Sequence, residues 1–332
     1  MTELAIARAS YLHVYIDVLR EIGVPVEREL AHSPLPTWIE DAPDAYVSIP
    51  AAIDWVARCG RDLELMEIGL LAARRTTLAA MELSFQQALL DAPTGFARMD
   101  TFLRAVAGED SSLTIGTRRE GEHIRIVCDT LRFDDNPAVC LAEWLNVQAT
   151  VAVMRSIVGP RWCPTEITFV ASSPPTKAVR EVYGNTRILT GRPHTSILVE
   201  AAGLARPCHE CIRTPISPTA ANSAWSFARA LRAVVRPYLS DGYPTLEHTA
   251  EAIGMSRRTL QRRLQDCGRT YSEVVAEARV ELAFELLTDT NLRIIDVALA
   301  VGYENPQHFS RLFRRMTGMT PRSYRQSVLI AG

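Results

Sequence analysis

The chain has 332 residues, 47% hydrophobic and 22% charged, with a formal net charge of −2. Its length suits two ordinary domains, and its apolar content excludes a disordered chain, which would bury too little to fold. No apolar run approaches the roughly 18 to 20 residues that cross a bilayer, the start MTELAIARAS has no basic leader, and seven widely spread cysteines do not form a secreted disulfide framework. The expectation is a cytoplasmic protein with reduced thiols and no membrane association.

Taken in chain order, residues 10–22 and 50–58 read as helices and 67–107 as several more. Short β-branched or alternating runs follow at 111–117 and 123–128. Trp144 to Val158 has helical apolar spacing and is stopped by Gly159 and Pro160, and two further strand-like runs lie at 166–170 and 196–199. Strands and helices do not alternate regularly, so the pattern is α+β and disfavours a doubly wound parallel sheet.

The segment RTPISPTAANS interrupts the apolar patterning with prolines and small polar residues. It divides the chain into a domain at 1–212, a linker at 213–223 and a domain at 224–332. The second domain opens with a helix whose candidate cap is Ser223 and whose apolar face is Phe227, Ala228, Leu231, Val234, Val235 and Tyr238. Charge divides the same way. Residues 225–332 carry 15 arginines against 11 acidic residues, net +4, whereas residues 1–224 carry 21 basic against 27 acidic, net −6. A basic part on an acidic larger part points weakly to nucleic acid.

A repeat at about 49 residues carries the stronger signal. In LEHTAEAIGMSRRTLQRRLQDCG, Leu246, Ala250 and Ile253 share one helical face, Gly254 ends the helix and Ser256 caps the next. In IIDVALAVGYENPQHFSRLFRRMTG, Val297, Ala298 and Val301 are the buried set, Gly302 ends the helix, and Asn305 caps a helix beginning at Pro306. The two helix-turn-helix units span about 246–267 and 294–317. Leu260 and Leu264, like Phe309 and Phe313, are four apart and face a core, which leaves Arg257, Arg258, Gln261 and Arg262 outward on one helix and Gln307, His308, Arg311, Arg314 and Arg315 on the other. Arginine reads guanine and glutamine reads adenine in bidentate fashion, while other arginines neutralise phosphates. A solvated basic face explains one such helix as well as DNA binding does; its duplication favours DNA.

The second unit, DVALAVGYENPQHFSRLFRRMTGMTPRSYR, resembles the AraC/XylS family of regulators, and the likeness extends over roughly residues 225–328. The resemblance implies that each recognition helix enters a major-groove segment of double-stranded DNA, with the helix around Tyr271 to Thr288 holding them about one DNA turn apart. It places Arg258, Gln261, Arg262, Gln307 and Arg311 against base edges, and Ser256, Arg257, Asn305, His308, Arg314 and Arg315 at phosphate or flanking positions. Arg293 departs from the family, which more often has a capping Ser or Thr there, so a frayed start to the second unit is expected. Residues 167–207, ITFVASSPPTKAVREVYGNTRILTGRPHTSILVEAAGLARP, resemble the end of the arabinose-binding-type sensor domain of ornithine-regulator-like members. That likeness implies an effector-binding and dimerisation domain, an unidentified small-molecule effector, a homodimer and possible contact with RNA polymerase, with no ligand residues assigned.

Other features invite readings of their own. Cys208 and Cys211 form a C-x-x-C with His209 between them and His194 upstream, yet no second pair completes a metal site. Trp38, Trp55, Trp144 and Trp162 suit a core better than a pocket, and Arg74–Arg75 and Arg118–Arg119 suit a solvated surface better than an anion site. No nucleotide-binding or nucleophile motif stands in a strand-turn-helix context. No cofactor, metal or enzyme activity is therefore expected. The competing readings are an architectural DNA binder and a regulator with an enzyme-derived sensor.

Overall fold

A computed structural model describes residues 4–37, 39–76, 83–130, 136–208, 225–239, 242, 244–288 and 292–331. The linker at 213–223, the candidate cap Ser223, Trp38, His209 and Cys211 lie outside the described residues. The fold is an α+β N-terminal part followed by a helical C-terminal part.

The N-terminal part begins with β1 (Ile6–Arg8), α1 (Ser10–Glu21) and α2 (Val26–Ala31), then β2 (Tyr46–Ser48), α3 (Ile49–Cys59), α4 (Leu65–Ala73), α5 (Leu83–Leu90) and α6 (Gly95–Glu109). It continues through β3 (Leu113–Glu120), β4 (His123–Thr130), α7 (Val139–Val158), β5 (Glu166–Thr168), α8 (Lys177–Val182), β6 (Arg187–Leu189), β7 (Thr195–Glu200) and α9 (Ala201–Leu204). Five strands form one sheet in the order β3-β4-β7-β5-β6, antiparallel except for the parallel pair β5–β6. The β3–β4 hairpin turns at Gly121, whose φ of 62° suits a two-residue turn.

Helix α7 is the centre of this half. It begins at Val139, five residues before the expected Trp144, because Cys140 and Leu141 are buried as well as Val147, Val151 and Met154. A helix apolar nearly all round must be covered on every side. The sheet covers one side, and α3, α4 and α6 cover others. Gly69 permits the closest approach: a Cβ there would lie 2.3 Å from Trp144 Cδ1. Glu143, fully buried, accepts hydrogen bonds from the Val170 and Ala171 backbone N–H groups at 2.6 and 3.2 Å and from the Thr195 hydroxyl, which fastens the helix to the sheet. Trp55 and Trp144 are core residues, and Trp162 packs half-buried against the same core. Arg75 pairs with Glu21 and Arg118 with Glu120, as expected of surface arginines.

The two three-residue strands β1 and β2, absent from the sequence reading, form an antiparallel ribbon with Ala7 opposite Val47. Ala7 and Val47 join the N-terminal core, whereas Leu4 and Ile6 are buried in a second core with Phe227, Leu231, Val235 and Leu239. Alternation along the strand therefore inserts one chain segment into two cores. The ribbon is held from behind: Ser111 Oγ accepts from the Ile6 N–H at 2.9 Å and donates to the Leu4 carbonyl at 2.6 Å. Tyr46 meets the Trp225 ring edge-on at 5.1 Å, and the Tyr238 hydroxyl donates to the Pro34 carbonyl at 3.3 Å.

Ile6→Ala should cost about 2–5 kcal/mol, the range for truncating a buried isoleucine, in urea unfolding of the full chain. A second expectation concerns Asp110, bonded through the backbone to Ala7 of the ribbon. Burial raises its carboxyl from 3.8 to about 6, against the hydrogen bonds it accepts from Ser112. A raised carboxyl favours the folded state below about pH 4, and that contribution is lost as pH rises through about 6, up to about 3 kcal/mol in all. Asp110→Asn keeps an acceptor for Ser112, so its stability relative to the wild type should grow between about pH 4 and pH 7; equal pH profiles of unfolding would contradict this.

Candidate nucleic-acid interface

The C-terminal part comprises α10 (Phe227–Val235), α11 (Leu246–Ala252), α12 (Arg257–Asp266), α13 (Tyr271–Thr288), α14 (Ile294–Ala300), α15 (Pro306–Thr317) and α16 (Pro321–Ala331). Helix α10 is capped by Ser226, whose hydroxyl accepts from the Arg229 N–H at 3.2 Å, in place of the expected Ser223. Its buried face is Phe227, Ala230, Leu231, Val234 and Val235, so Ala230 takes the core position read for the half-buried Ala228.

The two units have the same local construction. In the first, Gly254 at φ 65° reverses the chain, the Met255 N–H donates to the Ala250 carbonyl at 2.8 Å, and Ser256 Oγ accepts from the Thr259 N–H at 3.1 Å to start α12. In the second, Gly302 at φ 79° reverses the chain, the Tyr303 N–H donates to the Ala298 carbonyl at 2.9 Å, and Asn305 Oδ1 accepts from the Gln307 N–H at 2.8 Å to start α15. Each turn satisfies helix-end carbonyls, and each cap satisfies the N–H groups of the next helix. Ser256 and Asn305 are thus helix caps, as read from the sequence.

Leu260 and Leu264 are buried in one core, Phe309 and Phe313 in another. The opposite faces are exposed: Arg257, Arg258, Gln261 and Arg262 on α12, and Gln307, His308, Arg311, Arg314 and Arg315 on α15. Among the described residues, the side chains of Arg258, Gln261 and Arg262 have no hydrogen bond or ion pair within the chain. Arg257 is held by Glu247 of α11 at 2.5 Å. Arg311 makes a long 3.5 Å contact to the Gln307 carbonyl of its own helix. Several arginines behind the positive count serve the fold instead. Arg232 pairs with Glu277 and Glu281 at 2.8 and 2.9 Å, and Arg269 pairs with Glu277 at 2.7 Å.

Helix α13 joins the units. At its start the Tyr271 hydroxyl donates to the Pro244 carbonyl at 2.7 Å and lies 2.6 Å from Thr249 Oγ1 of α11. Further along, Arg279, 7% exposed, donates to the Gly302 carbonyl at 2.9 Å and lies 4.3 Å from the Tyr303 ring centroid. Arg279 therefore positions the turn of the second unit. Sequence reading missed it because an arginine inside an otherwise apolar helix gives no spacing signal of its own. At 18 residues α13 is about 27 Å long, a rigid strut of the scale of one DNA turn.

The expected fraying at Arg293 is corrected. The Asp296 and Val297 N–H groups donate to the Arg293 carbonyl at 2.9 and 3.0 Å, and α14 starts at Ile294. Arg293 supplies no capping acceptor but grips Asp296 with two bonds of 2.8 and 3.0 Å, and this pairing lowers the aspartate's proton affinity. A carboxylate in the first turn also suits the helix dipole.

Residues 249–327 match the helix-turn-helix domain, and residues 23–208 match the arabinose-binding domain of AraC transcription regulators, more than half of the chain. The chain belongs to the AraC family of transcription regulators. As such it is a DNA-binding transcription regulator with an arabinose-binding-like N-terminal ligand domain. It is 25% identical to the HTH-type transcriptional regulator VirS of Mycobacterium tuberculosis over 97% of this chain and 96% of that protein. It is 38% identical to the ornithine utilization regulator of Pseudomonas aeruginosa over 26% of this chain and 25% of that protein's length. The crystal structure of the transcriptional regulator CdpR from Pseudomonas aeruginosa aligns over 95% of this AraC-family chain and 96% of that one, with 22% identity and a TM-score of 0.44. Among the described residues, no helix is long and apolar enough to cross a membrane. Cys208 is half-buried, and its backbone N–H donates to the Pro93 carbonyl at 3.0 Å.

The two turn glycines should respond differently to substitution. A Cβ on Gly254 would meet nothing within 4 Å, so Gly254→Ala should cost only the positive-φ penalty of about 1–2 kcal/mol. On Gly302 it would lie 2.6 Å from the Leu239 carbonyl oxygen and 3.1 Å from that of Gly242. Gly302→Ala should therefore be clearly more destabilising in urea titration, and equal losses would show that the second turn relaxes freely.

Proposed function

We propose that this AraC-family protein reads a specific promoter or operator sequence through both helix-turn-helix units. Arg258, Gln261 and Arg262 of α12 and Gln307 and Arg311 of α15 lie against base edges. Arg257, His308, Arg314 and Arg315 contact phosphates or flanking groups, with Ser256 and Asn305 at the helix N-termini nearest the backbone. The observation that carries this reading is the pairing of two buried anchors with an outward Arg/Gln face on each recognition helix, both fixed to one strut. Residues 1–212 form the sensor and dimerisation domain, 213–223 the linker and 224–332 the DNA-binding domain. A small-molecule effector held by the sensor shifts the balance between states of different DNA affinity or RNA polymerase contact. The homodimer and the cytoplasmic location rest on the family likeness.

Genome-wide immunoprecipitation from the native host supplies the operator for the test. Arg262→Ala and Arg311→Ala should each weaken binding to that site by about 1–3 kcal/mol and relax base preference at one position, with little change on random DNA. Arg314→Ala should instead weaken both DNAs alike and reduce the slope of log affinity against log salt by about 1. Equal affinity of the wild type for operator and random DNA at physiological salt would assign an architectural role.

A further inference from the structure

A cavity of about 70 Å³ lies beneath the ribbon, between β1–β2 and helices α1, α3, α6 and α7. Its walls are mostly aliphatic: Val47 comes from the ribbon, Ile49 and Ile53 from α3, Val106 from α6, and Ala142 and Ala149 from α7. The volume is about five times the roughly 10–15 Å³ that one water needs by the same measure. It therefore suits a group of four or five non-hydrogen atoms.

The polar residues of the wall select against charge. Arg8 is already bonded to Asp44 at 2.6 Å and lies 3.8 Å from Glu109, which also accepts the Tyr11 hydroxyl. Asp110, next in sequence, adds a further carboxyl to the wall, where it accepts from the Ser112 N–H and hydroxyl. An anionic ligand would meet an acidic surplus, and a cationic one would enter an aliphatic slot whose carboxylates already have donors, at a desolvation cost that is not recovered. The Tyr15 hydroxyl is committed to the Leu141 carbonyl at 2.6 Å. Half-buried Asn146, by contrast, makes no side-chain hydrogen bond with another described residue, so its amide can donate to or accept from a neutral group.

We infer that this cavity binds a small, uncharged, mainly aliphatic molecule carrying one hydroxyl or carbonyl group, and that the ribbon transmits its presence to the DNA-binding half. The inference rests on the reading of the chain as an effector-controlled regulator, to which it adds a site and a ligand class. Transmission follows from the ribbon's two faces. Ala7 and Val47 line the cavity, while Leu4 and Ile6 complete the core that contains Leu260 and Leu264 of the first recognition helix. A shift of the ribbon cannot leave that core unchanged, because close-packed interiors pass displacement on.

The test uses full-length protein without DNA and three matched probes: 1-butanol, butyrate and butylammonium. In methyl NMR spectra, 1-butanol should produce saturable shifts of the Ile49 and Ile53 methyls, with Ile6 shifting at the same midpoint, and each charged probe should bind at least about ten-fold more weakly. Ala149→Leu, which fills the cavity from a helix that tolerates leucine, should abolish the shifts while its circular-dichroism melt stays cooperative. Asn146→Ala should weaken 1-butanol several-fold without altering that melt. Absence of saturable shifts in the wild type would overturn the site, a charged probe binding as tightly as 1-butanol would overturn the ligand class, and a silent Ile6 would overturn the transmission. These readouts involve no DNA, so they stand or fall separately from the operator-binding measurements on Arg262→Ala and Arg311→Ala.

Discussion

Two pairs of buried side chains orient the DNA-binding half. Leu260 and Leu264 lie in one core, and Phe309 and Phe313 in another, each pair one helical turn apart. Burying residues four apart fixes the rotation of a helix about its axis, so the remaining faces have no choice of direction. That constraint turns Arg258, Gln261 and Arg262 outward on one helix and Gln307 and Arg311 outward on the other. The groups proposed to read bases are thus presented by default, once the apolar stripe is satisfied.

Orientation alone does not set spacing, and α13 supplies it. Tyr271 ties the start of this helix to the first unit, and Arg279 ties its middle to the turn of the second. Each unit has its own core, with half-buried Leu282 packed against both. The units are therefore separately packed but jointly positioned, an arrangement suited to two successive major-groove contacts. Much of the positive charge in this half contributes to that positioning. Arg232, Arg269, Arg279 and Arg293 are engaged with carboxylates or carbonyls, which is why a net charge of +4 is a poorer guide to DNA binding than the positions of five exposed side chains.

The ribbon β1–β2 joins the two halves of the molecule. Its residues alternate between the sensor core and the core of the first recognition unit, and Ser111 holds its backbone from behind. A strand with both faces buried in different cores couples them without a hinge or a ligand of its own. The proposed effector control would have a physical route here, because the aliphatic cavity shares one face of that ribbon.

The sequence by itself determined what periodicity and local chemistry carry: the apolar stripes, the glycine turns, the caps at Ser256 and Asn305, and so the two units with their outward arginines and glutamines. It also placed four of the five strands of the main sheet, missing β6, and the central helix to within five residues of its start. What it could not show depends on contacts between distant segments. Strands β1 and β2 are three residues each, too short for alternation to register, and they exist because Ser111 and two cores hold them. Ser226 replaced Ser223 as the cap of α10, since two serines near one helix start look alike until the chain's path is fixed. Arg293 starts α14 without a capping oxygen because Asp296 pairs with it, and Arg279 is buried because the Gly302 carbonyl and the Tyr303 ring receive its charge. Local patterns report which face of an element is apolar. Only tertiary structure decides what that face, or a buried charge, will meet.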